Sequence, residues 1–153
     1  MKFQTFTIVS VLLAATAYAA PATHHQTTNP VTILITRDSI NDCGDSTFTN
    51  ESTGGSPTVS DCQQIATNIA GGGTWHVEGY GIQHQLVQYG TCAFGVTNSD
   101  KGFKIGNQDI IDLINGSISR FQWSGLVGAK GEMSCQDDFS VEDETVSWGL
   151  YHT

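Results

Sequence analysis

The histidines and their polar neighbours are the side chains in this sequence best suited to catalysis. His76, His84 and His152 are the histidines beyond the first forty residues of the 153-residue chain, and none has a partner at the spacing of metal ligands. The sequence also lacks a GxSxG, HExxH or phosphate-binding glycine motif. His76 with Glu78 and Arg120 could provide the acid–base chemistry of a secreted ribonuclease, but this is the less favoured interpretation. We predict no catalytic residue, no metal and no cofactor.

A run of carboxylates near the C-terminus is the second candidate for chemistry. It comprises Asp137, Asp138, Glu142, Asp143 and Glu144. Calcium prefers several carboxylate oxygens on one loop, but the calcium-loop pattern with its central glycine is missing here. We therefore interpret the run as the solvated tip of a hairpin.

The three tryptophans could either stack on sugar rings or fill a small core. Trp148 belongs to an alternating apolar run, and we predict that it lies in the core. Trp75 and Trp123 remain candidates for a carbohydrate-binding surface.

The first nineteen residues have the features of a signal peptide. Lys2 provides a positive start, residues 6–15 are almost all apolar or small, and Ala17-Tyr18-Ala19 offers a cleavage site after Ala19. The apolar run is shorter than the roughly twenty residues needed to span a bilayer. We predict a signal peptide over 1–19, a flexible leader over 20–40 with a strand candidate at 31–36, and a domain over 41–153.

Secretion determines how the cysteines and two asparagine motifs are interpreted. An even number of cysteines in an oxidising compartment predicts two disulfides. The four cysteines are Cys43, Cys62, Cys92 and Cys135, and they allow three pairings. Asn50-Glu51-Ser52 and Asn115-Gly116-Ser117 are N-glycosylation motifs, so Asn50 and Asn115 are candidate glycan sites.

The charge balance excludes two classes of partner. The chain has 6 Lys and Arg against 15 Asp and Glu, a formal net charge of −9. Binding to nucleic acid or to an anionic membrane requires a cationic surface, which this composition does not provide. With 39% hydrophobic residues the chain can form a core. We expect a secreted monomer that neither binds nucleic acid nor inserts into a membrane.

Hydrophobic periodicity predicts two helices. Ser56 and Pro57 have the residue types of a helix start, and apolar residues follow at helical spacing up to Ile69. A second helix is predicted over 107–121, with Asn107 as its cap and one apolar stripe. Strands are predicted at 74–77, 85–89, 91–96, 126–135 and 145–151. Two helices among about five strands, without βαβ alternation, predict an α+β two-layer sandwich with a mainly antiparallel sheet.

Several motifs occur in the order that is found in one family. They are Asn41–Phe48, Ser56-Pro57 leading to Asp61-Cys62, Tyr89–Phe94, Gly106–Ile110, Gly125 to Gly128, Cys135 and Val146–Tyr151. This series, over about residues 41–151, resembles the fungal Ecp-two-like (Hce) effector domain. The resemblance implies a secreted fungal protein without established catalytic residues, described as a necrosis-inducing factor or plant-pathogen effector. The same domain occurs attached to fungal chitinases.

The resemblance leaves three functional hypotheses. The first is a non-enzymatic effector that acts on an extracellular plant target. The second is an antimicrobial protein, because the element order is also similar to the α/β sandwich of the KP-type fungal killer toxins. Their channel block is linked to basic residues, of which the secreted chain has few. The third hypothesis is a chitin-binding module that uses Trp75 and Trp123.

A nested disulfide pairing agrees best with the predicted elements. A Cys62–Cys92 bridge would pin the first helix to the central strand. A Cys43–Cys135 bridge would then tie the start of the domain to its penultimate strand.

Overall fold

The protein, represented by a computed structural model, is described over residues 39–79, 81–98, 101–138, 140 and 142–153. The predicted signal peptide, and most of the leader with its strand candidate at 31–36, lie outside these residues. The described part has two helices and eight strands. In chain order they are β1 (Cys43–Ser46), β2 (Thr49–Asn50), α1 (Val59–Asn68), β3 (Thr74–Val77), β4 (His84–Tyr89), β5 (Cys92–Asn98), β6 (Phe103–Gly106), α2 (Asn107–Phe121), β7 (Ala129–Gln136) and β8 (Asp143–His152).

The strands form one large and one small antiparallel sheet. The large sheet has the order β1-β7-β8-β5-β4, and β2 also pairs with β7. The small sheet pairs β3 with β6. Strand β8 is central because it pairs along nearly its whole length with β7 on one side and β5 on the other.

Both helices cover one face of the large sheet. Residues at alternate positions of β8 are buried, from Glu144 through Val146 and Trp148 to Leu150, as the pleat of a half-buried strand requires. The three apolar residues of this series pack with Ile65 of α1 and with the apolar stripe of α2. The predicted core position of Trp148 is thus confirmed. The predicted α+β sandwich with two helices is also confirmed, with more strands than the five expected.

The start of α1 differs from the prediction by two residues. Thr58 is the N-cap, and its hydroxyl accepts a hydrogen bond from the backbone nitrogen of Asp61 at 3.3 Å. The predicted cap, Ser56, instead accepts from the backbone nitrogen of Thr53 at 2.9 Å and closes the preceding loop. Both residues can serve as caps, so the tertiary position of the loop decided between them.

Helix α2 has the predicted bounds but a different cap. The N-cap is Gly106, whose backbone nitrogen donates to the Asp109 carboxylate at 2.9 Å. The prediction that Asn107 caps α2 is wrong. Asn107 is buried as the first helical residue, and its amide accepts from the backbone nitrogen of Ile40 and donates to the carbonyl of Ile69. Asn107 therefore joins the segment before β1 to the end of α1.

No helix within the described ranges has the length and apolar character needed to cross a bilayer.

Candidate functional site

The two disulfides have the nested pairing. Cys62–Cys92 joins α1 to β5, and Cys43–Cys135 joins β1 to the directly opposite position of β7. All four cysteines of the sequence are in these bridges. Cys62 and Cys92 are fully buried. The first bridge thus lies within the core between a helix and the sheet, while the second holds the short β1 at the sheet edge.

The His76, Glu78 and Arg120 set is not assembled. His76 pairs with Lys104 just before α2 begins, whereas Arg120 lies in the last turn of that helix. The fifteen residues of α2 span about 22 Å, which separates the two side chains. Arg120 instead lies over the ring of Phe48, with its guanidinium carbon 4.3 Å from the ring centroid. Acid–base chemistry by this set finds no support in the geometry.

The acidic run is only partly exposed. Asp137 is 5% exposed, and its carboxylate lies 3.2 Å from the ammonium of Lys101, whose pKa it raises. The Asp138 carboxylate contacts both His76 and Lys104 at 3.0 and 3.6 Å.

Glu144 is buried on the inner side of β8. The prediction of a fully solvated tip is therefore wrong for Asp137 and Glu144, although Glu142 and Asp143 are exposed. Asp137 pairs with Lys101, and Glu144 occupies a position of β8 that faces inward. Within the part that the structure describes, no group of three His, Cys, Asp or Glu residues is placed to hold a metal ion.

A groove of about 330 Å³ lies between β1 and the first half of α2. Asp109 lines it, and burial raises the pKa of this carboxyl. The backbone nitrogens of Asp42 and Gly106 donate to the same Asp109 oxygen at 2.8 and 2.9 Å and oppose the shift. Asp109 thus holds the segment before β1 against the start of α2, which is a structural role.

Trp123 lies on a tight turn directly after α2 and is 58% exposed. Trp123 and Leu126 exchange two backbone hydrogen bonds, each of 2.9 Å. The two residues between them, Ser124 and Gly125, have positive φ angles of 52° and 78°, as in the type I′ turns of two-residue hairpins. The turn fixes the backbone that carries the exposed indole.

Backbone hydrogen bonds join this turn to the segment that leads into α1. The backbone nitrogen of Val127 donates to the carbonyl of Pro57, and that of Val59 donates to the carbonyl of Gly125, at 3.0 and 2.9 Å. Thr58 and Leu126 form an isolated bridge in the same region. Residues 52–59 and 121–129 therefore form one connected surface, which we call the tryptophan-turn surface.

Neither segment of the tryptophan-turn surface contains a charged residue. The sequence pattern indicated Trp123 but not its surroundings, because residues 52–59 are remote from it in the chain. Two features of the sequence indicate this surface: the Ser124-Gly125 pair, which favours a tight turn, and the absence of charged residues from both segments.

Trp75 does not share this surface. It is partly buried on β3, packs against the core and pairs with Ile105, which precedes the start of α2. Trp123 follows the other end of the same helix. The two candidates for a carbohydrate-binding surface therefore lie at opposite ends of α2 and cannot form one platform.

The two candidate glycan sites are both accessible. Asn50 is exposed in β2, and its side-chain oxygen accepts a hydrogen bond from the backbone nitrogen of Ser52 at 2.9 Å. Asn115 is exposed on α2, where it lines a groove toward α1.

Comparisons with known proteins cover most of the domain. A family model named Hce2, described as "Pathogen effector; putative necrosis-inducing factor", matches residues 42–135, which include all four cysteines. A Penicillium expansum protein named probable chitinase LysM18 is 42% identical over 114 residues, covering 71% of this chain and 8% of that protein. Another, secreted chitinase LysM12 of the same organism, is 31% identical over 115 residues, covering 70% and 7%. This chain spans less than a tenth of either relative's length. It belongs to the Hce2 family of pathogen effectors.

Proposed function

We propose that this protein is a secreted, non-enzymatic fungal effector that binds a target outside the cells of a plant host. The observation that carries the proposal is the family match, which spans the disulfide-bonded domain from β1 to β7. The predicted signal peptide and the complete pairing of the cysteines support secretion, because disulfides persist in oxidising compartments. One relative is also named as secreted.

Binding, rather than turnover, agrees with how the reactive side chains are used. His76 contacts Asp138, Arg120 lies over Phe48, and Asp109 holds backbone nitrogens. Each of these contacts stabilises the fold. The chitinase names describe two much longer proteins, of which this chain matches only 8% and 7%. We therefore assign no chitinase activity to this chain.

Leaf infiltration tests the effector function directly. Purified protein that begins at Ala20 should cause local cell death in a susceptible plant. The same protein, reduced and alkylated at its four cysteines, is the matched control, since it keeps the composition and charge but loses the bridges. Equal responses to both preparations, or no response in any host tested, would contradict the proposal.

An antimicrobial role is the second candidate. The observation that favours it is the presence of similar segments in two proteins named chitinases, since chitin is a polymer of fungal walls. If this candidate is correct, the folded protein inhibits the growth of yeasts or moulds and leaves plant tissue unaffected. Parallel assays with one preparation separate the two functions.

A further inference from the structure

The tryptophan-turn surface has the properties of a ligand-binding site. Trp123 is the most exposed of the tryptophans, whereas Trp148 is almost fully buried. Its turn is closed by two backbone hydrogen bonds and is held by the segment before α1. A large aromatic side chain on a fixed backbone loses little conformational freedom when it binds, so more of the contact energy contributes to affinity.

The chemistry of the surface indicates a neutral ligand. The chain carries a net charge of −9, yet no charged residue occurs in 52–59 or 121–129. Of the charged residues that flank these segments, Glu51 pairs with Lys130, and Arg120 lies over the ring of Phe48. The exposed residues of these segments contribute hydroxyl, amide and backbone groups, and they include Thr53, Gln122 and Ser124. A surface for a phosphate, a carboxylate or a basic peptide would carry opposite charge.

We propose that the tryptophan-turn surface binds a neutral saccharide through Trp123. A pyranose ring with equatorial hydroxyls presents a flat C–H face that stacks on an indole, and its hydroxyls can pair with uncharged donors and acceptors around the ring. Glucose and N-acetylglucosamine polymers share this chemistry. Anionic wall polymers such as polygalacturonate would be repelled by the net negative charge. The inference rests on the proposed extracellular binding function and names the ligand class.

Calorimetric titration with defined oligosaccharides tests the proposal. The probes are soluble chitin oligomers, β-glucan oligomers and oligogalacturonate. We expect binding to one or both neutral series and none to oligogalacturonate. The two neutral arms distinguish a ligand that needs the acetamido group from one that needs only the sugar ring.

Variants of the turn assign the binding to Trp123. Trp123→Ala should lower the affinity about tenfold or more, the loss that is typical of a truncated aromatic anchor. Trp123→Phe should retain part of the affinity because it keeps a ring. Ile82→Ala, which truncates an apolar side chain that is 61% exposed and outside both segments, is the matched control and should bind as the wild type does.

Fluorescence provides an independent readout. Saccharide binding should shift the tryptophan emission of the wild-type protein to shorter wavelength, because the most exposed indole loses water. Trp123→Phe should bind without that shift. Gly125→Ala strains a residue whose φ is 78°, so it should weaken binding while Trp123 is intact.

Two results would overturn the proposal: no binding of any neutral oligosaccharide, or unchanged affinity in Trp123→Ala. The outcome is distinguishable from that of the leaf assay. If the protein kills leaf cells but binds no saccharide, the saccharide site is wrong and the effector function stands. If it binds saccharide through Trp123 but affects neither plant nor fungus, the saccharide site stands and the proposed function is wrong.

Discussion

The carboxylate of Asp61 on α1 closes the turn at Thr91, just before β5. One Asp61 oxygen accepts hydrogen bonds from the backbone nitrogen and the hydroxyl of Thr91, at 2.9 and 2.7 Å. The next residues, Cys62 and Cys92, form the buried disulfide. Helix α1 is thus joined to the sheet by a covalent bridge and an adjacent charge-assisted contact.

This contact makes stability depend on acid pH. The backbone nitrogen of Thr91, then its hydroxyl and that of Thr58, lower the pKa of Asp61 below its ordinary value. The stabilisation is therefore complete above the pKa of the unfolded chain, about 3.9, and is lost as the pH falls through the lower folded-state pKa. Asp61→Asn should reduce stability at neutral pH and flatten the acid limb of the stability profile. Urea unfolding from neutral to acid pH checks this, and parallel profiles for both proteins would contradict it.

Asp109 should act with the opposite sign. Burial raises the pKa of Asp109 in the folded protein. The free energy of unfolding of the wild type therefore falls as the pH rises from the unfolded-state pKa of this group through its folded-state pKa. The amide oxygen of Asp109→Asn can still accept from Gly106 and Asp42. The variant should therefore gain stability relative to the wild type as the pH rises through that range. Thermal melts over the same pH series measure the difference, and a variant that loses stability relative to the wild type as the pH rises would refute the assignment.

Gly90 is required beside Asp61. Its φ is 53°, and a Cβ built there would lie 2.6 Å from the Asp61 carboxylate. Gly90→Ala should destabilise the fold by about 1–3 kcal/mol, through backbone strain and displacement of Asp61. Gly54→Ala is the matched control, since a Cβ added at Gly54 would have no other atom within 4 Å. Equal urea midpoints for the two variants would show that the turn at Gly90 tolerates a side chain.

The two disulfides should differ in their effect on stability. They close loops with sequence separations of 92 and 30 residues. Loss of a native bridge in a small secreted domain costs about 2–5 kcal/mol, and chain entropy makes the longer loop costlier by about 1 kcal/mol. The Cys43→Ala, Cys135→Ala double variant should thus have the lower urea midpoint of the two double variants.

Protease digestion and urea unfolding compare the two double variants. Peptide mapping of the unreduced protein checks the pairing itself, which a linked Cys43–Cys62 or Cys43–Cys92 peptide would contradict. Labelling of native, unreduced protein by iodoacetamide would contradict the absence of free thiols.

Glycans are expected at Asn50 and Asn115 when the protein passes through a eukaryotic secretory pathway. Both side chains are exposed, so a glycan on either can project into solvent without disturbing the core. Asn115→Gln should lose the mass of one glycan and keep the unfolding midpoint. Asn50→Gln should also lose one glycan, with a small loss of stability because the Asn50–Ser52 hydrogen bond is disturbed. An intact mass that differs from the wild type only by the added methylene group shows that the site is unoccupied.

Local patterns determined the helices and the central strands. The apolar residues of α2 recur at helical spacing, so a helix places them all on one buried face. The predicted bounds 107–121 match the observed helix. The alternation from Val146 to Leu150 likewise predicted a half-buried strand. An even number of cysteines behind a predicted signal peptide predicted two bridges.

The short strands β1, β2 and β6 could not be predicted, because their stability comes from partners that are distant in the chain. β1 is polar and lacks an alternating apolar pattern; it is held by the Cys43–Cys135 bridge and by pairing with β7. β6 has only four residues, and its pairing with β3 defines it. The cap of α1 was assigned to Ser56 instead of Thr58 for a similar reason, since both residues have suitable side chains.

The acidic character, the even number of cysteines and the effector-family motif series could be recognised without a structure, because composition and motif order are properties of the chain. Which polar residues lie together depends on the tertiary structure. It buried Asp137 beside Lys101 and separated Trp75 from Trp123 by the length of α2. It also placed the uncharged segment 52–59 behind the Trp123 turn through backbone hydrogen bonds. Contacts between residues so far apart in the chain depend on strand order and helix packing, which no local pattern encodes.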